Sequence, residues 1–576
     1  MKLFKIMLLV FCTTVLSCAE IKTEDASAQL QKIITEYQDY ESYDDEEFPL
    51  GVFTKEHYQK EADFSRSILD KLTQLEDVNL SETEKISLEL LKFKLQDKID
   101  FNTLERYLNP LLSDSGFHVS LPYMVRPITN YKQAKEYLGK LNALPAYVDQ
   151  NLALIKEGLV KGVSQPKVIF RGYESSYDTH IVDNIEDSFF YTPFKNVTSV
   201  LTENQSDSVI DAAKKTIEKI VIPQFKRIKT FFETEYLPKT RTSLGVSETP
   251  GGTDYYQNRI NYYTTSTQYS ADDIHQIGLK EVARIKEEME EVISTLDFKG
   301  SFADFFQFLR TDKQFYAKTP EELLMIARDM AKRVDAQLPR FFKTLPRKPY
   351  GVAPVPDAIA PKYTTGRYIG TSRNSTDPGY YWVNTYNLPS RTLYTMPALT
   401  VHEAVPGHHL QGSLNNELGD SIPKFRKKMY LSAYGEGWGL YCEFLAEEMG
   451  MYTTPYEKFG QLTYEMWRAC RLVVDTGIHA KGWTRDEVVN YMAANTALSI
   501  HEINTETDRY ISWPGQALSY KIGELKIREL RKKAEKELVE KFDIREFHEV
   551  VLEQGTVTLS ILENRMNTYI EKVKNE

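Results

Sequence analysis

The stretch Leu399-Thr-Val-His-Glu-Ala-Val-Pro-Gly-His-His-Leu-Gln411 decides the architecture that we expect for this chain. It holds three of the chain's 10 histidines, His402, His408 and His409, within eight residues. Glu403 directly follows the first of them. Neutral imidazoles are good zinc ligands, and a carboxylate beside them can take a proton from a water molecule at the metal. The stretch therefore predicts a Zn²⁺ site with Glu403 as its general base.

The Pro-Gly pair inside this stretch decides which histidines can meet. The pattern is close to the H-E-x-x-H zinc helix, but it has two extra residues. In a straight helix each residue turns about 100°, so His409 would share the face of His402 while His408 would point away. Pro406 cannot donate to the carbonyl of His402 and would clash with it, so we expect a bulge or restart at Pro406 and Gly407. Such a bulge returns His408 to the metal. Both arrangements stay open from the residues alone, as does a histidine-rich turn without metal.

Most of the remaining chain has the pattern of helices. Apolar residues recur at i, i+3, i+4 and i+7 in 28–37 and 81–95, and Ser81 with Glu84 forms a capping box. The Pro-rich connection 345–361 excludes a helix. Further helices are predicted at 131–163, 205–235, 274–293, 303–312, 320–339, 425–451, 459–477, 484–496, 517–539, 543–553 and 558–574.

Short segments depart from this pattern. Asn261-Tyr-Tyr-Thr-Thr-Ser-Thr267 indicates a polar extended piece. Gly379-Tyr-Tyr-Trp-Val-Asn-Thr-Tyr-Asn387 is rich in β-forming residues and leads into the His402 helix. We expect an edge strand there, which either pairs with an extended peptide substrate or only packs against the helix. The predicted fold class is therefore mainly α, with a small β element next to the metal helix.

The first 17 residues have the composition of a secretory signal. Their apolar stretch is too short to span a bilayer as a stable helix. Val15-Leu-Ser-Cys18 resembles a bacterial lipobox, which implies cleavage before Cys18 and lipidation of its thiol. Residues 18–28 would then be a polar tether. We expect a lipid-anchored protein at a bacterial membrane, exposed to the periplasm or the cell surface; the alternative is an ordinary cleaved signal with a chance cysteine.

Composition argues against a nucleic-acid partner and against a fold held together by disulfides. The net charge is −11 and no basic block is present, which argues against a nucleic-acid partner. Apart from the anchor, Cys442 and Cys470 remain after cleavage, and two cysteines make no disulfide framework. A hydrophobic content of 41% is ample for a self-sufficient core.

Several stretches together resemble a bacterial family known as domain of unknown function 885. They cover His402–His409, Ile274–Arg284, Glu436–Glu443, Val474–His479 and Arg509–Gly523. The resemblance spans nearly the whole chain. It implies a large helical fold similar to the gluzincin peptidases angiotensin-converting enzyme, thimet oligopeptidase and carboxypeptidase Taq.

The helical pattern gives way to a loop near Thr249, and this change divides the chain. We expect an N-terminal helical half at 29–248 and a metal-binding half at 249–576, which share a central cleft.

The resemblance assigns the remaining metal-site roles. In the gluzincins a second helix supplies a glutamate as third ligand, and Glu436 takes that place, 28 residues after His408. Glu443 would share its helical face and orient a ligand. In these relatives a glycine precedes the second ligand. Gly407 therefore favours His408 as ligand and leaves His409 a supporting role.

Substrate-binding roles are assigned by resemblance or by position. The gluzincins use a tyrosine to polarise the oxyanion and basic residues to hold a peptide carboxylate. Tyr520 is assigned the first role, and Lys521 or Arg509 the second. Asp475 and His479 belong to a polar stripe on one helix, which either orients a ligand or the substrate or is a structural network.

The function expected from these residues is a zinc peptidase acting on short peptides. Glu403 would take a proton from the attacking water and return it to the leaving amine, and Tyr520 would stabilise the oxyanion. Two alternatives use the same cleft. One is a zinc amidohydrolase acting on modified amino acids or cell-wall peptides, and the other is a non-catalytic peptide-binding lipoprotein.

Overall fold

The structure, a computed structural model, describes residues 26–41, 47–75, 80–357, 359–373 and 375–576. The expected signal peptide, most of the tether and Cys18 lie outside these residues. None of the helices in the described ranges is both long enough and apolar enough to cross a membrane.

The described chain is mainly helical, as predicted. Capping boxes begin several of the long helices, because a Ser or Thr side chain accepts from a first-turn N–H that has no partner inside the helix. The α-helices are α1 (26–41), α2 (Lys55–Thr73), α3 (Glu82–Thr103), α4 (Tyr131–Asn142), α5 (Leu144–Lys161), α6 (Ser175–Asp178), α7 (Glu203–Thr216), α8 (Ile222–Thr230), α9 (Gly252–Thr264), α10 (Ala271–Thr295), α11 (Phe302–Thr311), α12 (Pro320–Asp335), α13 (Leu338–Phe341), α14 (Met396–Glu403), α15 (His408–Glu417), α16 (Lys424–Lys428), α17 (Ser432–Glu448), α18 (Pro455–Lys481), α19 (Arg485–Asn495), α20 (Ile500–Ser512), α21 (Ser519–Leu538), α22 (Ile544–Leu552) and α23 (Leu559–Asn575).

The chain divides into two compact units. The first contains the described residues up to 75 together with 92–255 and 511–513. Its core includes the buried ring of Phe232, with the rings of Tyr173 and Tyr236 at 5.5 Å. The second unit contains the described residues of 80–91, 256–510 and 514–576. Apart from Cys18, every candidate site residue lies in the second unit.

A three-stranded sheet in the second unit precedes helix α14. Its strands are β1 (Tyr350–Pro354), β2 (Gly366–Ile369) and β3 (Gly379–Val383), in the order β1-β3-β2. The central strand β3 runs parallel to β1 and antiparallel to β2. Tyr381 therefore lies opposite both Val352 and Tyr368.

One face of this sheet fixes the position of α14. Tyr381 and Val383 point from β3 into a core that also contains Met396 and Leu399 of α14 and Leu323 of α12. All five side chains are at least nine-tenths buried. Apolar burial of this kind contributes about 1.5–3 kcal/mol per large side chain, so α14 is held firmly against the sheet.

Three details of the predicted secondary structure are wrong. The strand at Gly379–Val383 is central, and β2 and β1 are the edges; β1 lies within the Pro-rich connection, where no strand was predicted. Residues 261–264 belong to helix α9, because Ile260 and Thr264 are buried on one helical face with Tyr256. The helix predicted at 425–451 is interrupted between α16 and α17.

Candidate metal centre

The metal helix breaks at the Pro-Gly pair. Helix α14 ends at Glu403 and α15 begins at His408. The Gly407 N–H reaches back to the Val401 carbonyl at 3.0 Å, and the indole N–H of Trp438 donates to the Pro406 carbonyl at 2.8 Å. A Cβ atom on Gly407 would lie 1.9 Å from the His402 carbonyl oxygen, so only glycine fits there.

This break brings His408 beside His402. The two imidazole rings lie 4.8 Å apart and nearly perpendicular to each other. Glu436 of α17 completes the group, because its Oε2 lies 3.5 Å from Nε2 of His402 and 3.4 Å from Nε2 of His408. Three ligand atoms from three helices therefore converge on one point.

The donor set and its spacing fit a zinc ion. Ligand atoms at about 2.0–2.1 Å from a tetrahedral ion are about 3.3–3.4 Å apart. The two distances to Glu436 match this edge length within the tolerance expected of a metal site. Two imidazoles and one carboxylate are also the donors of catalytic zinc sites, which keep a fourth position open.

A buried carboxylate orients His402. Oε1 of Glu443, which lies two turns after Glu436 on the same face of α17, is 2.7 Å from Nδ1 of His402. This contact holds Nδ1 protonated and turns Nε2 toward the metal position. Burial disfavours the imidazolium form of His402, but hydrogen bonds with Glu436 and Glu443 outweigh it and raise the pKa to about 10.

The two neighbouring imidazoles stabilise the ionised form of Glu436. Burial alone would raise the pKa of Glu436, but the neighbouring His408 and His402 hold it well below its usual range. A carboxylate that stays ionised in a buried place needs a cationic partner.

Glu403 lies beside the three converging groups but has a different partner. Ligand atoms of His402, Glu403 and His408 all lie within 4.8 Å of one another. The Glu403 Oε2 accepts the backbone N–H of Tyr368, in strand β2, at 2.7 Å. This bond from the edge strand fixes the carboxylate next to the metal position.

His409 faces away from the metal position. Its Nδ1 lies 3.2 Å from the Tyr368 hydroxyl, and its Nε2 lies 3.1 Å from the Lys348 carbonyl. Burial lowers the pKa of His409 to about 4, so the ring is neutral. The structure thus places His408, and not His409, with His402 and Glu436.

The polar stripe on α18 forms a buried network. Asp475 accepts the Tyr256 hydroxyl at 2.7 Å and the Gly515 N–H at 3.1 Å. The His479 Nε2 lies 2.9 Å from the Tyr510 carbonyl oxygen. These contacts tie α18 to α9 and to the turn after α20, which is a structural role and not a contact with the metal ligands.

Two of the three residues expected to bind substrate are held in ion pairs, and the third is a partly exposed tyrosine. The ammonium of Lys521 is fully buried in ion pairs with Glu281, Glu465 and Glu524 at 2.7–3.0 Å, which leaves it no freedom to hold a ligand. Arg509 pairs with Glu506 at 3.0 Å. Tyr520 is partly exposed and stands beside two arginines of α18.

Tyr430 is a site residue that the sequence did not reveal. It lies in the interruption between α16 and α17, and its hydroxyl donates to Glu436 Oε1 at 2.8 Å. The residue is 54% exposed, so a ligand can reach it. Desolvation by the surrounding protein, followed by the charges of Glu436 and Tyr520, raises the pKa of Tyr430 well above its usual value. No motif marks this tyrosine, because its role depends on the helix interruption.

Comparisons with known proteins show what the whole chain is similar to. The family model for bacterial proteins of unknown function, DUF885, matches residues 37–566. The crystal structure of a candidate lipoprotein from Colwellia psychrerythraea is similar, with a TM-score of 0.85 and 28% identity over 96% of this chain and 97% of that one. A candidate lipoprotein of unknown function from Shewanella oneidensis shares the fold, with a TM-score of 0.69 and 17% identity over 95% and 99% of the two chains. No curated protein sequence matches significantly.

Proposed function

The chain belongs to the bacterial family DUF885, and we propose that it is a zinc-dependent peptidase of the gluzincin type that cleaves short peptides. The observation that carries this proposal is the convergence of His402, His408 and Glu436 at zinc-ligand spacing beside Glu403. A purely structural zinc site has four protein ligands, whereas three candidate ligands converge here among the described residues, with the carboxylate of Glu403 beside them.

Each residue around the metal position has its own proposed role in peptide hydrolysis. A bound zinc ion supplies Lewis acidity. Glu403 takes the proton of the attacking water and delivers it to the leaving amine nitrogen. Tyr430, whose hydroxyl donates to Glu436, would turn that O–H to the oxygen on which negative charge develops, and Tyr520 is the alternative donor. Glu443 fixes the ring of His402 throughout.

The edge strand β2 supplies a second element of the proposal. It has one neighbour in the described sheet, β3, and its Tyr368 N–H is bound by Glu403. An extended peptide can align with such an edge through main-chain hydrogen bonds. The expected substrate strand is therefore β2, and not the central strand that the sequence indicated.

Zinc content and a general-base variant test this function. The purified full-length protein is expected to retain one zinc ion per chain and to hydrolyse a mixed library of short peptides. The Glu403→Gln variant should keep the zinc and lose about 10²–10⁴-fold in kcat. The matched control is Glu447→Gln. Glu447 also lies on α17, and this change removes only its surface ion pair with Lys458. Absence of zinc, or full activity in Glu403→Gln, would refute the proposal.

A substrate panel separates this reaction from the related amidohydrolase. N-acyl amino acids and cell-wall peptides should be poorer substrates than linear peptides of ordinary residues. A reversal of that order would assign the site to amide hydrolysis of modified amino acids.

We also propose that the chain is a lipid-anchored protein. The lipobox at Cys18 and the likeness to two candidate lipoproteins support this. Labelled fatty acid should be incorporated into the wild-type chain and not into Cys18→Ser. Equal labelling of both would contradict the anchor, and protease treatment of intact cells would report on which side the protein is exposed.

A further inference from the structure

A half-open cavity of about 320 Å³ lies beside strand β2, outside the group of candidate metal ligands. Three segments of the second unit line it. The residues before β1 contribute Arg347 and Lys348, β2 and the loop after it contribute Tyr368 and Arg373, and helix α15 contributes Asn416. This volume is at the lower end of the range for small-ligand sites, and it gives room for one amino-acid side chain.

Tyr368 links this cavity to the candidate metal centre. Its backbone N–H donates to Glu403 Oε2 at 2.7 Å, and the same residue is part of the cavity lining. Thr371, which also lines the cavity, follows three residues later, at most about 11 Å along an extended chain. A peptide that lies along β2 with its reacting bond at Glu403 therefore reaches the cavity within about three residues of that bond.

The cavity lining carries an excess of positive charge. It contains three cations, Arg347, Lys348 and Arg373, and one carboxylate, Glu417. The chain as a whole has a net charge of −11, so this excess is a local feature. A concave surface lined by one sign of charge attracts ligands of the opposite sign. The cavity therefore favours an anionic group.

The charge of Lys348 is held in place without being neutralised. Its ammonium donates to the Thr371 hydroxyl and to the carbonyls of Ser372 and Ser375 at 2.8–3.2 Å. These acceptors are neutral, so they fix the ammonium and leave its charge for a ligand. Arg347 differs, because Glu417 accepts its backbone N–H at 2.9 Å and lies 3.4 Å from its Nε.

Arg373 has a carboxylate partner that an anion can replace. The partner is Asp420 at 3.2 Å, and the side chain of Asp420 is 92% exposed. An ion pair exposed to this degree is weak, because water competes for both groups. Since Arg373 and Lys348 line the same cavity, one bound carboxylate can contact both, through charge-assisted hydrogen bonds.

We propose that this cavity binds an acidic side chain of a peptide substrate that lies along β2. Lys348 and Arg373 contact the side-chain carboxylate, and Tyr368 packs against the methylene groups. The inference rests on the proposed peptidase function. It narrows the substrates to peptides that carry Asp or Glu within about three residues of the cleaved bond.

Binding of peptides without terminal charges tests the inference and requires no turnover. Fluorescent hexapeptides of neutral residues are acetylated at the N-terminus and amidated at the C-terminus. One Glu is placed at each position in turn, and each peptide is paired with one that has Gln in the same place. The pairs are titrated into the zinc-loaded full chain carrying Glu403→Gln, with product analysis to confirm that they stay intact.

Glu is expected to bind about 10–100-fold more tightly than Gln at one position of the peptide, because a hydrogen bond between charged groups distinguishes the two. The ratio of the two affinities should fall as the salt concentration rises, because salt screens the attraction.

Variants of the lining then locate the effect. Lys348→Met and Arg373→Gln should each reduce the ratio of Glu to Gln affinity toward one. Arg367→Gln is the matched control: Arg367 is an exposed cation next to Tyr368 on β2, and its side chain projects from the opposite face of the strand. It should leave the ratio unchanged. Arg373 is exposed, so Arg373→Gln decides if Lys348→Met does not fold.

The outcomes separate this inference from the function on which it rests. Equal binding of Glu and Gln peptides at every position would overturn the acidic site, as would an equal change of the ratio in Arg367→Gln. Hydrolysis of Glu and Gln peptides with equal kcat/KM by the wild type, together with equal binding, would overturn the site while the peptidase function stands. A preference for Glu in binding without any hydrolysis would leave the site standing and refute the reaction. Failure of every peptide to bind would overturn both.

Discussion

Replacing Gly439 with alanine tests whether the His402 ring is positioned for metal binding. A Cβ atom on Gly439 would lie 2.7 Å from both Cε1 and Nε2 of that ring. Ordinary van der Waals contact begins at 3.4 Å, so the ring must move by about 0.7 Å, which exceeds the ±0.2 Å tolerance of a metal ligand. The ring cannot simply swing away, because it is 3% exposed and held by Glu443 at 2.7 Å.

The expected result is a loss of zinc affinity without loss of fold. Removing an outer partner of a metal ligand costs about 10–100-fold in affinity, so displacing the ligand itself should cost at least the upper end of that range. Competition with a chelating dye measures the affinity, and circular dichroism checks the fold. Gly412→Ala is the control on α15, where the added Cβ meets only Tyr368 at 3.6 Å. Wild-type zinc affinity in Gly439→Ala would refute the geometry that we assign to His402.

Three further predictions concern buried carboxylates and their partners. Glu443→Gln should weaken zinc binding by about 10–100-fold in the same dye competition, because it removes the charge that orients His402. Lys521→Met should lower the free energy of unfolding by about 3–5 kcal/mol in urea, because the buried carboxylates of Glu465 and Glu524 lose the cation that they share with the half-buried Glu281. Burial raises the pKa of Asp475 to about 7 from 3.8, so the folded chain keeps a proton that the unfolded chain loses. The free energy of unfolding should therefore fall by about 1.4 kcal/mol per pH unit between about pH 4 and 7, and Asp475→Asn should remove this fall.

Controls for these predictions come from the same helices. Glu447→Gln should keep the zinc affinity of the wild type, and an equal loss in both variants would contradict the role of Glu443. Lys526→Met removes more exposed ion pairs and should cost at most about 1 kcal/mol. If Lys521→Met lowers the free energy of unfolding by only as much as Lys526→Met does, the ion pairs of Lys521 do not stabilise the buried carboxylates. For Asp475, parallel pH profiles of wild type and Asp475→Asn would show that the carboxyl is not protonated in the folded chain.

The sequence was sufficient for the parts of the site that follow from local chemistry. Pro406 and Gly407 predicted the break in the metal helix, since a proline cannot continue it and a glycine can turn it. The helical spacing of Glu436 and Glu443 predicted that they share a face, and in the structure both contact the ring of His402. The mainly helical class followed from apolar periodicity in the same way.

The sequence was insufficient where position depends on distant segments. Lys521 was one of two residues predicted to bind the carboxylate of a substrate. In the structure its ammonium pairs with Glu281 and Glu465, which are far away in the chain. The strand at Gly379–Val383 became central because β1 forms from a Pro-rich connection that carries no strand pattern. Tyr430 gained its contact with Glu436 only through a helix interruption.

The choice between His408 and His409 shows the division most clearly. The sequence determined that a restart after Pro406 was required, and resemblance favoured His408. Only the tertiary structure decides the direction of α15 relative to α14. The indole N–H of Trp438, on another helix, donates to the Pro406 carbonyl, and the hydroxyl of Tyr368 in strand β2 contacts His409. Local stereochemistry fixes where a helix must break, whereas packing of segments far apart in the chain fixes the direction in which it resumes.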